Sequence, residues 1–180
     1  MRIIGGHLRG RLIEPPSGFR ARPTTDFAKE SLFNILNNRI DYPEICVLDL
    51  FSGTGAISYE FASRGVLDID LVEIEKKHCA FIGMTLKRLS IDGVRVHHMS
   101  VRKWIEICYK QYDIIFADPP YDLPWLEDLP QLVFESAMIN DDTIFILEHP
   151  KSYRFNEFPW FTEHRNYGNV NFTFFSKTIT

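Results

Sequence analysis

No uninterrupted apolar run in the 180 residues approaches the roughly 18 needed for a membrane-spanning helix, so no membrane association is expected. The opening residues, MRIIGGHLRGRLIEPP, contain no apolar stretch of the secretory type. Cysteine is scarce. Cys46, Cys79 and Cys108 lie about 30 residues apart without a Cys-x-x-Cys pair, which argues against a disulfide framework or a zinc knuckle. A reduced, cytoplasmic setting is the expectation. Repeats and low-complexity segments are missing. An excess of basic charge is missing too: 20 Lys and Arg face 24 Asp and Glu, for a net charge of −4. That balance excludes a general coater of nucleic acid, which needs clustered cations. What remains is an ordinary globular composition, 45% apolar and 24% charged, able to bury a core and long enough for one domain with a small appendage.

The overall charge hides an asymmetry. Residues 1–39 hold seven basic residues (Arg2, Arg9, Arg11, Arg20, Arg22, Lys29, Arg39) against three acidic ones, whereas residues 40–180 are net −8. A basic arm on an acidic body hints at a polyanionic partner, and equally fits a solvated arm that only aids solubility. The division expected is an extension over 1–40 and a main domain over 41–180.

Along the chain, residues 1–13 read as a short hairpin turning at Gly5-Gly6. Thr25 or Asp26 caps a helix whose apolar face is Phe27, Leu32, Phe33, Ile35 and Leu36. Strands and helices then alternate. Strands are expected at 45–51, 68–74, 94–97 and 142–150, with a further strand running into a loop over 112–121, and helices at 54–64, 75–91, from Val101 to Lys110, and 125–138. Gly168-Asn169 marks a closing hairpin. This alternation predicts a three-layer α/β fold around a mostly parallel sheet with a C-terminal antiparallel hairpin.

The segment VLDLFSGTGAISYE sets Gly53 and Gly55 between a buried strand and a helix start. Glycines there permit close backbone approach, and the helix end offers free N–H groups. A dinucleotide fingerprint would want a third glycine at 58, where this chain has Ser58. Glu73, ending the second strand, suits ribose hydroxyls. The combination fits a nicotinamide dinucleotide or S-adenosylmethionine. Asp49 favours the latter, because a sulfonium is cationic and carries no phosphate. A plain glycine turn with two solvated acids is the bland alternative.

The run YDIIFADPPY ends another strand on the same sheet edge. Its prolines pin the backbone. Asp118 and the Pro119 carbonyl become fixed acceptors, Pro120 stiffens the loop, and Tyr121 offers a stacking face. Two acceptors aimed at one NH₂ suit the exocyclic amine of an unstacked nucleobase. A rigid surface loop with a solvated Asp is the alternative.

VLDLFSGTG, LVEIE and FADPPY together resemble a class I, Rossmann-like, S-adenosylmethionine-dependent amino-methyltransferase. RIIGGHLRGRLI, RPTTDFAKESLFNIL, ASRG, FILEH and NYGN narrow the likeness to the RsmD family of 16S rRNA guanine-N2 methyltransferases. That resemblance implies methylation of guanine 966 of 16S rRNA in the small ribosomal subunit or an assembly intermediate, by a monomer without a metal. It implies that Asp49, Phe51, Gly53 and Gly55 line the methionine part of the cofactor and Glu73 its ribose. Arg22 and Thr24 would close over the site, and Asp118, Pro119, Pro120 and Tyr121 would hold the target amine. Arg2, Arg9, Arg11 and Arg20 would face RNA. The family pattern has an Asp near the adenine; here Ser100 stands there. Phe27 and Lys29 replace a more arginine-rich helix.

His97, His98 and His149 lack metal-ligand spacing and read as structural. Cys46 and Cys108 read as core, as do Phe172, Phe174 and Phe175. Trp125 fits the substrate mouth or a helix cap equally. DNA adenine-N6 methylation and a non-catalytic RNA-binding module of the same fold stay open beside the rRNA reading. A nicotinamide oxidoreductase fits poorly.

Overall fold

The fold comes from a computed structural model that describes residues 1–16, 18–19 and 25–178. Its elements are α1 (Asp26–Leu36), β1 (Cys46–Leu50), α2 (Ala56–Ser63), β2 (Asp68–Glu73), α3 (Lys76–Leu89), β3 (Val94–His98) and α4 (Val101–Ile107), followed by β4 (Tyr112–Ala117), α5 (Leu129–Phe134), β5 (Ile139–His149), β6 (Phe161–Tyr167) and β7 (Val170–Phe175). They build one seven-stranded sheet in the order β3-β2-β1-β4-β5-β7-β6. β1 to β5 run parallel, and β7 and β6 close the sheet antiparallel. This is the Rossmann-like methyltransferase arrangement the sequence pattern anticipates. The strand order reverses between β1 and β4. In such sheets that switch point leaves a crevice at the carboxyl ends of the strands.

Alternation along the strands feeds three cores, one of which joins Leu71 of β2 to Ile82 of α3 and to Ile3 and Ile13 of the arm. Val47, Ile114, Phe116, Ile146, Phe172 and Phe174 pack beneath α1 and α2. Leu48, Leu50, Ile115, Leu147 and Phe175 pack beneath α4 and α5. Strands covered on both faces read as continuous apolar runs. All three C-terminal phenylalanines are therefore core. Cys108 is buried, but Cys46 is only half-buried, with its Sγ 3.2 Å from Asp113 Oδ2.

The amino-terminal segment is a short hairpin, as expected: around the Arg2–Leu12 bridge the Ile3 N–H donates to the Arg11 carbonyl at 3.0 Å and the Ile13 N–H to the Met1 carbonyl at 2.9 Å. Its turn, residues 5–10, wraps around the end of α2. There the Ser63 carbonyl accepts the His7 N–H at 2.8 Å, and the Ser63 hydroxyl donates to the Gly5 carbonyl at 2.6 Å. A Cβ at Gly6 would fall 1.8 Å from the Ser63 carbonyl oxygen, and its φ is +73°. Only glycine fits.

Helix α1 departs from expectation. Thr25 caps it through the Ala28 N–H, as the sequence implies. Phe27, however, is 66% exposed, and Lys29 is buried in its stead. The Lys29 ammonium donates to the Arg2 carbonyl at 2.6 Å and to Glu60 Oε1 at 3.2 Å. Glu60, wholly buried on α2, also accepts the Ile4 N–H. A buried carboxylate demands a charged partner, and this demand turns the helix so that a lysine faces inward. Helix α5 is shorter than expected. The Ser136 hydroxyl donates to the Val133 carbonyl and accepts the Met138 N–H, ending the helix early.

Candidate active site

At the carboxyl end of β1 the chain turns through Phe51, Ser52, Gly53, Thr54 and Gly55 into α2. Phe51, Gly53 and Gly55 have φ of +58°, +54° and +79°. Glycine adopts such angles freely; a phenylalanine does so only under strain, which tends to gather at functional sites. A Cβ at Gly55 would stand 2.9 Å from the Tyr59 ring. The loop is tied to β2: the Ser52 N–H reaches the Val72 carbonyl at 3.1 Å, and the Gly53 N–H donates to Glu73 Oε2 at 2.7 Å. Glu73 Oε1 accepts the Glu75 N–H, also at 2.7 Å. The Glu73 carboxylate is thus clamped by two backbone donors and oriented by them.

Asp49, on β1, is 2% exposed and accepts the Ser58 hydroxyl at 2.6 Å. Burial pushes its carboxyl up to about 7, Ser58 pulls it back, and the charge of Glu73 adds to the rise. On the other side of β1, the adjoining strand β4 ends at Ala117 and delivers Asp118, Pro119, Pro120 and Tyr121 to the same edge. The Asp118 N–H points to the Leu50 carbonyl at 3.4 Å.

These segments surround a cavity of about 700 Å³. Asp49, Phe51, Gly53, Glu73, Ser100, Asp118, Pro119, Pro120 and Tyr121 all line it. Gly55 lies behind the wall, as the left-handed N-cap of α2. Ser100 has a different immediate duty from a ligand contact: its hydroxyl caps α4 by accepting the Lys103 N–H at 3.3 Å, while the residue still faces the cavity. Arg20, Arg22 and Thr24 lie outside the described residues. Arg2, Arg9 and Arg11 are exposed on the arm and do not line the cavity. The arm nevertheless reaches the glycine loop, where the Thr54 hydroxyl meets Met1 Sδ at 3.5 Å.

Several lining residues escaped the sequence reading. Glu148 is 4% exposed and faces the cavity from β5. The adjoining register pairs Ala117 with Leu147, so Asp118 and Glu148 follow side by side at the ends of neighbouring strands. Its signal was an acid ending an apolar run, the same pattern as Asp49 and Glu73. Ile74, 62% exposed, and Val101 add apolar surface. Trp125 belongs to the mouth: its ring lies 5.9 Å from that of Phe51, and the Arg102 guanidinium sits 5.9 Å above it. The histidines are engaged elsewhere. His97 Nε2 is 2.6 Å from Asp70 Oδ1, His98 meets the Ile74 carbonyl, and His149 meets Thr173.

The lining is strongly acidic, with Asp49, Glu73, Glu75, Asp118 and Glu148 set against Arg102. Such a cavity attracts cations and repels phosphates. It combines a cation-seeking half at the glycine loop with an acceptor-rich half at the Asp-Pro-Pro-Tyr loop.

The family model of conserved hypothetical protein 95 matches residues 1–176. The ribosomal RNA small subunit methyltransferase D of Buchnera aphidicola is 33% identical over 148 residues, covering 82% of this chain and 75% of that protein. The Escherichia coli K12 protein of the same name is 30% identical over 148 residues, covering 82% and 74%. A solved structure of a putative methyltransferase from Escherichia coli superposes with a TM-score of 0.84 at 26% identity, covering 100% of this chain and 99% of that one. By its sequence over residues 1–176 and by its sheet, the chain belongs to the RsmD family, whose model is that of conserved hypothetical protein 95.

Proposed function

We propose that the protein transfers a methyl group from S-adenosylmethionine to the exocyclic N2 of a guanine in 16S rRNA, of the guanine 966 type, in the small ribosomal subunit or an assembly intermediate. The observation carrying this reading is that Asp118, Glu148 and the two cofactor acids Asp49 and Glu73 line one acidic cavity.

The residues fit the cofactor. Asp49, buried beside the charge of Glu73, is an acid in want of a cation. Glu73, with both oxygens already oriented by backbone N–H groups, keeps lone pairs for two ribose hydroxyls. Ile74 and Val101 supply apolar faces for an adenine, and Ser100, in place of the family's Asp, leaves a hydroxyl or a backbone group for its edge. When bound, S-adenosylmethionine supplies an electrophilic methyl on a sulfonium that departs as a neutral thioether.

The phosphates of an RNA strand are repelled by this cavity, but a flipped base is neutral and can enter. Asp118 and the Pro119 carbonyl would accept the two amine protons and fix the nitrogen in line with the methyl group. Such orientation can supply about 7–11 kcal/mol. Asp118 also faces the positive charge that grows on nitrogen as the new bond forms. The surplus proton then leaves to Asp118 or to water. Glu148 supports guanine over adenine. Guanine presents N1–H beside its N2 amine, two donors in a row, whereas adenine presents a bare N1 beside N6. A pair of adjacent carboxylates welcomes the former and opposes the latter.

The basic extension over 1–40 would meet the RNA through Arg2, Arg9, Arg11 and Arg20, with Arg22 and Thr24 near the site. Lys29 takes no part, being buried and paired. The test is methyl transfer to small subunits from a strain deleted for the gene, with mapping of the modified nucleotide. Incorporation at the guanine is expected; transfer to adenine, or to DNA alone, would overturn the assignment.

A further inference from the structure

A second cavity, of about 410 Å³, lies over β7 and β6, lined by residues of the segment 151–156 that follows β5 and by side chains of the two strands. Glu148 and His149 divide the two: as strand neighbours they point to opposite faces, Glu148 lining the first cavity and His149 bonding to Thr173, which lines the second.

A chain of hydrogen bonds fixes what this cavity presents. His149 Nδ1 lies 3.0 Å from the Pro150 carbonyl, which can only accept, so this nitrogen carries the proton. His149 Nε2 then accepts the Thr173 hydroxyl at 2.8 Å. With its only proton so used, the Thr173 oxygen accepts from His164 Nδ1 at 3.1 Å. His164 Nε2 is left as an acceptor. Burial agrees with this order, since it holds His149 neutral, with its pKa pushed down to about 4. The Asn166 amide group donates to Asn171 Oδ1 at 2.7 Å and to the Gly168 carbonyl, leaving its own oxygen as a second acceptor. Around these stand Lys151 and Arg154, both exposed and, among the described residues, without an ion-pair partner. Tyr153 adds a half-buried aromatic ring.

Cations call for an anion, fixed acceptors for N–H or O–H donors, and the ring for a planar partner. One unit of an RNA chain offers all three, as phosphate, base edge with ribose hydroxyl, and base face. We propose that this second cavity takes a nucleotide of the substrate RNA flanking the target base. The inference rests on the rRNA reading of the neighbouring site. The volume lies within the range of ligand pockets.

Two measurements separate the inference from that reading. Methyl transfer by the unaltered protein to unmodified small subunits tests the reading. Binding of a short single-stranded oligoribonucleotide at several salt concentrations, by the unaltered protein and by variants, tests the cavity. In the Lys151→Ala/Arg154→Ala double variant, whose changes are on the surface, the plot of log K against log salt should flatten by roughly 0.7 for the phosphate no longer neutralised. KM for subunits should rise with kcat unchanged, and S-adenosylmethionine affinity should stay the same. Tyr153→Leu should weaken binding without changing the slope, because stacking on a base releases no counterion. Thermal melting at the normal temperature would certify its fold. A double variant with unaltered affinity and slope would overturn the inference, whatever the transfer result. Weakened, flattened binding beside absent transfer would keep the nucleotide cavity and remove the methylation reading.

Discussion

Gly53 and Glu73 are joined across the first two strands: the glycine N–H donates to Glu73 Oε2 at 2.7 Å, and the opposite oxygen of the same carboxylate takes the Glu75 N–H. One side chain therefore shapes the glycine loop and the start of α3 while facing the cavity. Glu73→Ala should cost both the preorganised loop and a charge-assisted hydrogen bond to the ribose. The expected drop in S-adenosylmethionine affinity is about 1.5–3 kcal/mol, measured by calorimetry. Unchanged binding in a folded variant would place the ribose acid elsewhere, with Glu75 the next candidate.

Asp49 should make cofactor binding sensitive to pH. Its carboxyl sits at about 7 in the ligand-free protein because it is buried. A cationic ligand binds the ionised form. Affinity should therefore rise with pH up to about 7 and level off above, changing by up to about tenfold per pH unit below the break. Binding near neutrality should release a proton, detectable by calorimetry in buffers of different ionisation enthalpy. Ser58→Ala removes the hydrogen bond that favours the ionised form and should move the break upward; Asp49→Asn should abolish it. In the ligand-free protein the sign reverses. A raised carboxyl stabilises the fold below its ordinary 3.8, and that contribution is lost as pH rises through about 7.

Lys29 tests how the arm is held. It is the buried partner of Glu60, at 3.2 Å, and also binds the Arg2 carbonyl. Removing one member of a buried pair strands the other, at a cost of roughly 3–5 kcal/mol. Lys29→Ala should lower the melting temperature and loosen the arm. Glu60 keeps Arg64 at 2.5 Å, so the destabilisation should fall toward the lower end. Arg9→Ala with Arg11→Ala should leave stability alone and flatten the salt dependence of RNA binding by about 0.7–0.9 for each phosphate no longer neutralised. A melting temperature unmoved by Lys29→Ala would mean that apolar packing and the hydrogen bonds to Ser63 and Glu60 hold the arm without the lysine.

The contrast between Lys29 and Asp118 shows what a sequence reveals. Local chemistry was legible: Thr25 as a cap, Gly53 and Gly55 as a loop, the acids ending β1, β2 and β4, and the closing hairpin at Gly168. These rest on neighbours along the chain. Lys29 was not legible, because its place depends on Glu60, 31 residues away on another helix. Nothing in FAKE says that the Lys turns inward and the Phe outward. Ser100 is intermediate. The resemblance to the family, which has an Asp there, pointed to the cavity, yet the turn of chain that follows uses its hydroxyl as a helix cap. Glu148 had a legible pattern, an acid closing an apolar strand, but its partnership with Asp118 needed the register of β4 on β5.

Glu148 should decide the base. Glu148→Gln keeps the shape but sets an NH₂ group where an acceptor is needed for guanine N1–H. A site built to pair with a donor typically rejects the unmatched partner by up to about 10⁴-fold. The variant should lose guanine activity, chiefly in kcat/KM, while the penalty on subunits carrying adenine at the target should shrink. Equal falls in activity on both bases would show Glu148 to be a structural acid with no part in discrimination.

Asp118 carries the largest stake. It should be the only side-chain acceptor on the target amine, with Pro119 contributing through its backbone. Asp118→Ala should leave S-adenosylmethionine binding nearly intact, since the glycine loop and Glu73 lie on other strands. Turnover should collapse, because the carboxylate's hold on the amine strengthens as charge develops on nitrogen. Removing one such preorganised partner commonly costs roughly 10²–10³ in rate. Asp118→Asn divides the two roles of the carboxylate. It retains one acceptor oxygen and the side-chain volume but lacks the negative charge. If charge stabilisation dominates, Asn should be nearly as slow as Ala. If positioning dominates, Asn should keep much of the rate, because a single oxygen can still hold one amine proton. Single-turnover transfer to unmodified small subunits distinguishes these cases. Near-normal rates in both variants would remove the Asp-Pro-Pro-Tyr loop from the chemistry and leave the acidic cavity as a cofactor site alone.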